Sequence, residues 1–368
     1  MKTVCRIDQC AGCMACVDTC PKAAVEIAQG LGAWNAVINE EKCVDCGLCH
    51  RVCPQNEAPA FHEPQKWYQG WAEDEEIHRR GSSGGVATAL ALAFVKNGGA
   101  VCSCVFDNGE FRFRIAEAEA EVLRFAGSKY VKSNPQGCYT EIKALLKAGK
   151  KVLFIGLPCQ SAAAQKYVGS QYAKELYTVD LICHGTPSVQ LLDKFLQEKK
   201  YELSSLEELK FRDKCLFQIS VKGKPVLTPG LRDAYTLAFT QGLTYTENCY
   251  HCPYARKERV SDITLGDSWG SELDEATQKK GLSLILCQTQ KGIDLAESSG
   301  LKLLPVDLDA SVAGNDQLQH PSQKPGCREA FLRGITAGKS FHSLIAKCYP
   351  KQYYKIWLKH ILARLRKP

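Results

Sequence analysis

Long apolar stretches are missing from this chain. The longest, Val86 to Val95, has ten residues, whereas a helix needs about 20 to cross a bilayer, so a membrane-spanning chain is excluded. No apolar core or small-residue cleavage site follows the opening MKTVCRIDQC, and a secretory leader is not expected. Compositional bias is missing too: 45% hydrophobic and 24% charged residues exclude a disordered or collagenous chain and fit a globular one. An excess of positive charge exists only at the end. From Lys347 onward there are seven basic residues and no acidic one, and without them the chain carries equal numbers of each sign. A basic groove-facing surface is therefore lacking, and nucleic acid is not an expected partner. Neither a Walker loop nor the GxGxxG fingerprint occurs, so nicotinamide binding of the Rossmann kind is not indicated.

What the chain does have is cysteine, 20 in 368 residues, nine of them in the first 53. A disulfide scaffold so rich in cysteine would be a short secreted chain. The bunching asks instead for metal. Two segments repeat at an offset of 33: Cys10, Cys13, Cys16, Cys20 before Pro21, and Cys43, Cys46, Cys49, Cys53 before Pro54. Both read CxxCxxCxxxCP, the spacing of an iron–sulfur cubane pair in which the fourth cysteine of each run ligates the other cluster. One cluster would take Cys10, Cys13, Cys16 and Cys53, the other Cys43, Cys46, Cys49 and Cys20. Zinc knuckles, or reduced core cysteines, are the alternative reading, but zinc sites favour CxxC pairs with longer gaps. Residues 1–56 are thus expected to form an α+β ferredoxin domain with two 4Fe–4S clusters. Cys5 lies outside the pattern and reads as a small core residue.

Pro54 to Pro64 is proline-rich, polar and aperiodic, and a linker is expected over residues 57–66. Beyond them, Gly81-Ser82-Ser83-Gly84-Gly85 opens an apolar helical stretch, a strand covers 100–106, a helix at 139–147 leads into a strand at 151–156, and another strand precedes Cys183. Helices alternating with short apolar strands predict an α/β body covered on both faces, with antiparallel additions at 205–230. The expected architecture is therefore the ferredoxin domain, a larger mixed-sheet α/β domain over 67–310, and a helical region over 311–368. The Gly-Ser-Ser-Gly-Gly turn could cradle phosphate at a helix N-terminus, although many such turns only start helices.

Several strings then follow in a fixed order: Ser83-Gly84-Gly85, Gly127-Ser128-Lys129-Tyr130-Val131, Gly156-Leu157-Pro158-Cys159-Gln160, Asp180-Leu181-Ile182-Cys183-His184-Gly185, Cys249-Tyr250-His251-Cys252 and Asp262-Ile263-Thr264-Leu265-Gly266-Asp267-Ser268-Trp269-Gly270. Together they resemble the beta-subunit family of coenzyme F420-dependent hydrogenases and dehydrogenases, over roughly residues 65–310. The resemblance implies an FAD-binding iron–sulfur oxidoreductase. It places Ser82, Ser83, Gly84 and Gly85 at the flavin pyrophosphate, with Gly127, Ser128, Lys129, Tyr130 and Ser133 also at the cofactor. A cation at Lys129 would stabilise the reduced flavin; the bland reading is a solvated loop lysine. The resemblance also suggests a third 4Fe–4S cluster on Cys159, Cys183, Cys249 and Cys252, against which stand zinc or four scattered core cysteines. Two departures bear on the substrate. Phe211-Arg212-Asp213-Lys214 continues into Cys215-Leu216-Phe217 rather than Gly-Trp, and Ser268 stands where members often have an aromatic residue.

The implied function is electron transfer between a hydride carrier, F420H2 by resemblance, FAD and the clusters, toward a redox partner protein or ferredoxin. A ferredoxin-fed reductase of an organic substrate, like 7-hydroxymethyl chlorophyll a reductase, is the alternative. A second alternative is a non-catalytic electron relay. His184 is the candidate general acid, although a histidine beside a ligand cysteine commonly plays a structural part. The expected location is a reducing cytoplasm. The tail YPKQYYKIWLKHILARLRKP sets Tyr354, Trp357, Leu358, Ile361, Leu362 and Leu365 at helical spacing among basic residues. A membrane-surface helix is possible there but not expected, packing on the body or a partner being commoner.

Overall fold

The computed structural model describes residues 1–365. The strands in chain order are β1 (Val25–Gln29), β2 (Trp34–Ile38), β3 (Lys66–Ala72), β4 (Ala100–Asp107), β5 (Glu110–Ala116), β6 (Val152–Gly156), β7 (Leu176–Leu181), β8 (Leu209–Asp213), β9 (Leu216–Val221), β10 (Lys224–Pro225), β11 (Ile263–Asp267), β12 (Ser283–Cys287) and β13 (Leu301–Leu304). The N-terminal unit pairs β1 with β2 antiparallel. Its two cysteine loops keep the sequence repeat in the backbone. Gly12 (φ 71) and Asp45 (φ 50), then Met14 (φ 63) and Gly47 (φ 71), occupy equivalent left-handed positions, and the short helices Ala15–Asp18 and Leu48–Val52 begin at the same offset. Alternating left-handed residues wrap a loop so that its N–H groups point inward, a concavity suited to negative charge.

The body is a mixed sheet in the order β13-β3-β12-β11-β7-β6-β4-β5. Its centre is parallel, with β4 beside β6, β6 beside β7 and β7 beside β11, and antiparallel strands flank it on both sides. Strands β6 and β12 are buried at every position, which explains their unbroken apolar runs. The hairpin strands expected at 205–230 form a separate antiparallel sheet, β10-β9-β8. On one face of the large sheet, Val86, Leu90 and Phe94 of the helix Val86–Lys96 pack with Val101, Ile285 and Ile293.

The other face is shared with the N-terminal unit. Cys10, Cys13, Cys16, Val25 and Ile38 belong to one buried cluster with Phe113, Tyr139, Phe154 and Ala163 of the body. Each large apolar side chain buried there contributes about 1.5–3 kcal/mol, so the two units are welded rather than strung together. Residues 57–66 are not a free spacer either. His62 and Arg259 exchange backbone hydrogen bonds of 2.8 and 2.9 Å, adding a short antiparallel bridge to the body.

The C-terminal region begins inside the core. Phe331 and Ile335 from the helix Arg328–Thr336, and Phe341 and Ile345 from the helix Phe341–Cys348, pack with Leu191, Phe195 and Tyr235. The last described helix is Pro350–Leu365. It docks through Tyr353 and Ile356, while Tyr354, Trp357, Leu358, Leu362 and Leu365 of the expected apolar stripe are exposed. The end of that tail, 366–368, lies outside the described residues. No helix among the described residues is long and apolar enough to cross a membrane.

Candidate functional site

The two ferredoxin sets differ in depth. Cys10, Cys13, Cys16 and Cys53 are all buried. Burial pushes the Cys13 thiol well up, and Cys16, Cys53 and Cys10 push it further, as close neighbours of like charge do. Cys5 joins this set: it lies against both Cys10 and Cys53, and its contact is the largest influence holding those two sulfurs below the ordinary thiol range, Cys53 at about 7. That contact was not legible from the motif. The second set is shallow, Cys46 being exposed. Cys20, Cys43, Cys46 and Cys49 line one small hollow with Pro21, Val44 and Leu48. The fold thus brings Cys53 to the first run and Cys20 to the second. Among the described residues no group of three or more His, Cys, Asp or Glu is drawn tightly enough around one point for a single metal ion.

The third set gathers at the carboxyl ends of adjacent parallel strands, where open α/β sheets place their sites. Cys159 follows β6, Cys183 follows β7, and Cys249 and Cys252 lie in and after the 3-10 turn Glu247–His251. Burial pushes the Cys183 thiol well up, and Cys249, Cys159 and Cys252 add to it. Cys159 is raised in the same way, by burial first and then by Cys252. Cys252 is raised too, by burial first and then by Cys249; sulfurs gathered in this way suit a positively charged group. Buried donors stand nearby without a protein acceptor among the described residues: Arg259 Nε and Nη2, and Ser161 Oγ on the helix that begins beside Cys159. The Arg259 charge reaches Cys252, and Asp180 lies 4.0 Å from its guanidinium. Such donors suit a group that offers acceptors, as cluster sulfides do. This third set also adjoins the first. Tyr254 is buried amid Cys159, Cys13, Cys252 and Cys53, with its hydroxyl donating to Pro54 O at 3.2 Å.

The glycine- and serine-rich loops converge at the sheet edge. Ser128 N–H donates to Ser82 Oγ at 2.8 Å. Ser83 Oγ donates to Leu282 O, and Gly84 N–H to Ser283 Oγ. Gly85, in the left-handed region at φ 78, starts the helix Val86–Lys96, whose first turn has no side-chain cap; its free N–H groups can take an anion. Gly127 adopts φ 90 with open space where a side chain would be. These features fit a bound nucleotide. Tyr130 stacks on Phe239 at 4.5 Å and on Phe217 at 5.8 Å. Ser133 Oγ, buried, accepts from Gln160 Nε2 at 3.0 Å. Lys129 is not a solvated lysine: its ammonium donates to Phe125, Ala126 and Gly127 carbonyls of its own loop, and burial holds it below the usual lysine range.

Three charged residues join these loops that sequence reasoning did not single out for a role: Arg212, Lys214 and Asp267. They lie in the strings Phe211-Arg212-Asp213-Lys214 and Asp262 to Gly270. Arg212 makes a two-pronged ion pair with Asp267, at 2.7 and 2.9 Å. Its guanidinium lies over the Phe217 ring and reaches Tyr130 Oη at 3.5 Å. Lys214 Nζ donates to Ser83 O at 2.8 Å and to His78 O. His184 is exposed at this edge; the protein packed behind it holds its ring below the usual histidine range, with Asp267 and Asp316 pulling the other way. Ser268 is buried, its hydroxyl donating to Gln69 Oε1 at 3.3 Å.

Comparison with known proteins gives these features a setting. Residues 67–136 match the N-terminal part, and residues 149–301 the C-terminal part, of the family described as coenzyme F420 hydrogenase/dehydrogenase, beta subunit. Residues 9–56 match the 4Fe-4S dicluster domain. A coenzyme F420-dependent sulfite reductase of Methanocaldococcus jannaschii is 22% identical over 80% of this chain and 46% of its own length. A component of the ion-translocating oxidoreductase complex of Methanosarcina acetivorans is 40% identical over 55 residues, 15% of this chain and 19% of that protein. This chain thus spans less than half the length of these curated relatives. A chain of the F420-reducing NiFe hydrogenase complex from Methanosarcina barkeri aligns with a TM-score of 0.47 at 20% identity, over 76% of this chain and 96% of that one. The paired N- and C-terminal matches, in the order and positions of the loops just described, establish that the chain belongs to the coenzyme F420 hydrogenase/dehydrogenase beta-subunit family of oxidoreductases and carries a 4Fe–4S dicluster domain at its N-terminal side.

Proposed function

We propose that this chain is an iron–sulfur flavoprotein that passes electrons between a hydride carrier of the F420H2 kind and a protein redox partner, in a reducing cytoplasm. One observation carries the reading: three cysteine sets adjoin in turn, a shallow one (Cys20, Cys43, Cys46, Cys49) beside a buried one (Cys10, Cys13, Cys16, Cys53), and that beside a third (Cys159, Cys183, Cys249, Cys252) whose Cys249 packs in the aromatic cluster that Tyr130, three residues after Gly127, joins. When bound, a flavin supplies exchange between two-electron hydride chemistry and one-electron clusters. The chain's own residues position and insulate. Ser82, Ser128 and the uncapped first turn after Gly85 would hold the pyrophosphate, and the lysine of the Gly127-Ser128-Lys129 loop would place positive charge beside the isoalloxazine. Tyr130, clamped between Phe217 and Phe239, forms an apolar wall, and His184 stands at the rim as the group able to hold a proton. The shallow set gives an external partner access.

The test is anaerobic. Iron, sulfide and flavin content are measured, followed by stopped-flow mixing with F420H2 and, separately, with reduced ferredoxin. Three clusters' worth of iron and one FAD, with rapid flavin bleaching by F420H2, is the expected result. Two clusters' worth of iron would remove the third site. Bleaching by reduced ferredoxin alone would replace the reading with a ferredoxin-fed reductase of an organic substrate, and absence of flavin would leave a non-catalytic relay. Gly127→Val gives a finer check. A branched residue at φ 90 costs about 1–3 kcal/mol of backbone strain and fills the open side of the loop. The purified variant is expected to lose most of its flavin and keep its iron; unchanged flavin content would exclude this loop from the cofactor site.

A further inference from the structure

The buried Lys132 reaches from the body into a ferredoxin loop with its ammonium. The residue is 4% exposed. Its backbone is tied down, with the N–H donating to Pro187 O at 2.8 Å, and Val131 and Ser133 on either side are buried. From there Nζ donates to Ala11 O, between Cys10 and Cys13, at 3.0 Å, and lies 5.4 Å from the centre of the Trp34 ring. No Asp or Glu among the described residues forms an ion pair with it. Cysteine sulfurs lie on two sides of it: Cys10, next to Ala11, in the buried ferredoxin set, and Cys159, next to the Gln160 that donates to Ser133 Oγ, in the set at the sheet edge.

A buried ammonium without a counter-ion costs several kcal/mol, and a position so expensive is kept when something compensates it. Thiols would not, being neutral. Thiolate-bound clusters would, because four thiolates give the assembly net negative charge, which increases on reduction. In a low-dielectric interior the attraction is strong and poorly screened by salt. A cation there favours the electron-rich state of both neighbours alike, so the step between them stays small.

We propose that Lys132 is the shared counter-charge of two clusters, one on Cys10, Cys13, Cys16 and Cys53 and one on Cys159, Cys183, Cys249 and Cys252, raising the potentials of both while leaving the outer cluster alone. For its second half this rests on the three-set reading above; its first half needs only the dicluster domain. Lys132 is thereby a positioning and tuning residue and holds no iron.

The experiment is a reductive titration of wild type, Lys132→Gln and Lys132→Arg, followed by electron paramagnetic resonance, with iron content measured beside it. The outer signal is assigned by its loss in Cys46→Ser, and the sheet-edge signal by its loss in Cys249→Ala. In Lys132→Gln the reduction equilibrium of the inner cluster and of the sheet-edge cluster is expected to shift about tenfold toward the oxidised form, which is about 59 mV for one electron. The outer cluster should not move, and Lys132→Arg should lie close to wild type. Loss of iron in Lys132→Gln but not in Lys132→Arg would support the same counter-charge role. Unchanged potentials in Lys132→Gln, an equal shift of all clusters, or Lys132→Arg behaving like Lys132→Gln in either readout would overturn it. Should wild type hold only two clusters, the three-set reading fails, and the inner cluster alone still decides the role of Lys132.

Discussion

Cys249→Ala is expected to remove about one third of the iron from the anaerobically purified protein and to leave the flavin and the two ferredoxin clusters in place. A cubane needs its thiolates, and Cys249 is the most buried member of its set. Its sulfur lies 3.6 Å from Thr246 Oγ and 3.9 Å from Thr186 Oγ, weak contacts whose loss costs about 1 kcal/mol or less. Unfolding therefore does not account for iron loss in this variant. Cys287→Ala is the control, since Cys287 is fully buried on β12 with no cysteine among the groups that shift its thiol, and it should keep all its iron. Functionally, F420H2 should still bleach the flavin in Cys249→Ala while the ferredoxin clusters remain oxidised. Full iron content in Cys249→Ala would eliminate the third site.

Asp267→Asn is expected to cost about 3–5 kcal/mol, because it strips a buried guanidinium of its partner. The Arg212 side chain is 6% and the Asp267 side chain 16% exposed, so water replaces little of what is lost. For a chain of this size such a change lowers the thermal midpoint on the order of 10 °C. Removing both charges, in Arg212→Met with Asp267→Asn, should recover most of that stability, since the penalty comes from the orphaned charge. Flavin binding should not recover, because Arg212 also holds Tyr130 Oη and lies on Phe217. His184 provides an independent reading: Asp267 is the first of the charges that raise its pKa against burial, so the single variant should titrate His184 still lower, visible by NMR. A single variant as stable as wild type would show that the pair is not desolvated in solution.

The ferredoxin domain was the most legible part of this protein. Eight cysteines at fixed spacings mark a dicluster domain, which residues 9–56 match, because a loop of three thiolates is a local object. The backbone repeats the motif down to its left-handed residues, Gly12 with Asp45 and Met14 with Gly47. The central strands were readable for a similar reason, a continuous apolar run in β6 or β12 being the direct mark of burial on both faces. The tail was less so. Helical spacing marked Trp357 and Leu358, but the helix docks through Tyr353 and Ile356, since periodicity names a face without naming what it packs against.

By itself the sequence determined the two-cluster domain, the α/β body with its glycine- and serine-rich loops, and the family. Only the tertiary structure decided that Lys132 reaches Ala11, 121 residues away, that Arg212 pairs with Asp267, 55 residues away, that residues 57–66 are docked, and that the cysteine sets adjoin. The physical reason is range. Ligand spacing and strand burial are set by neighbours along the chain, whereas a buried charge is stabilised by whatever partner the fold brings to it, and only the packed sheet specifies that partner.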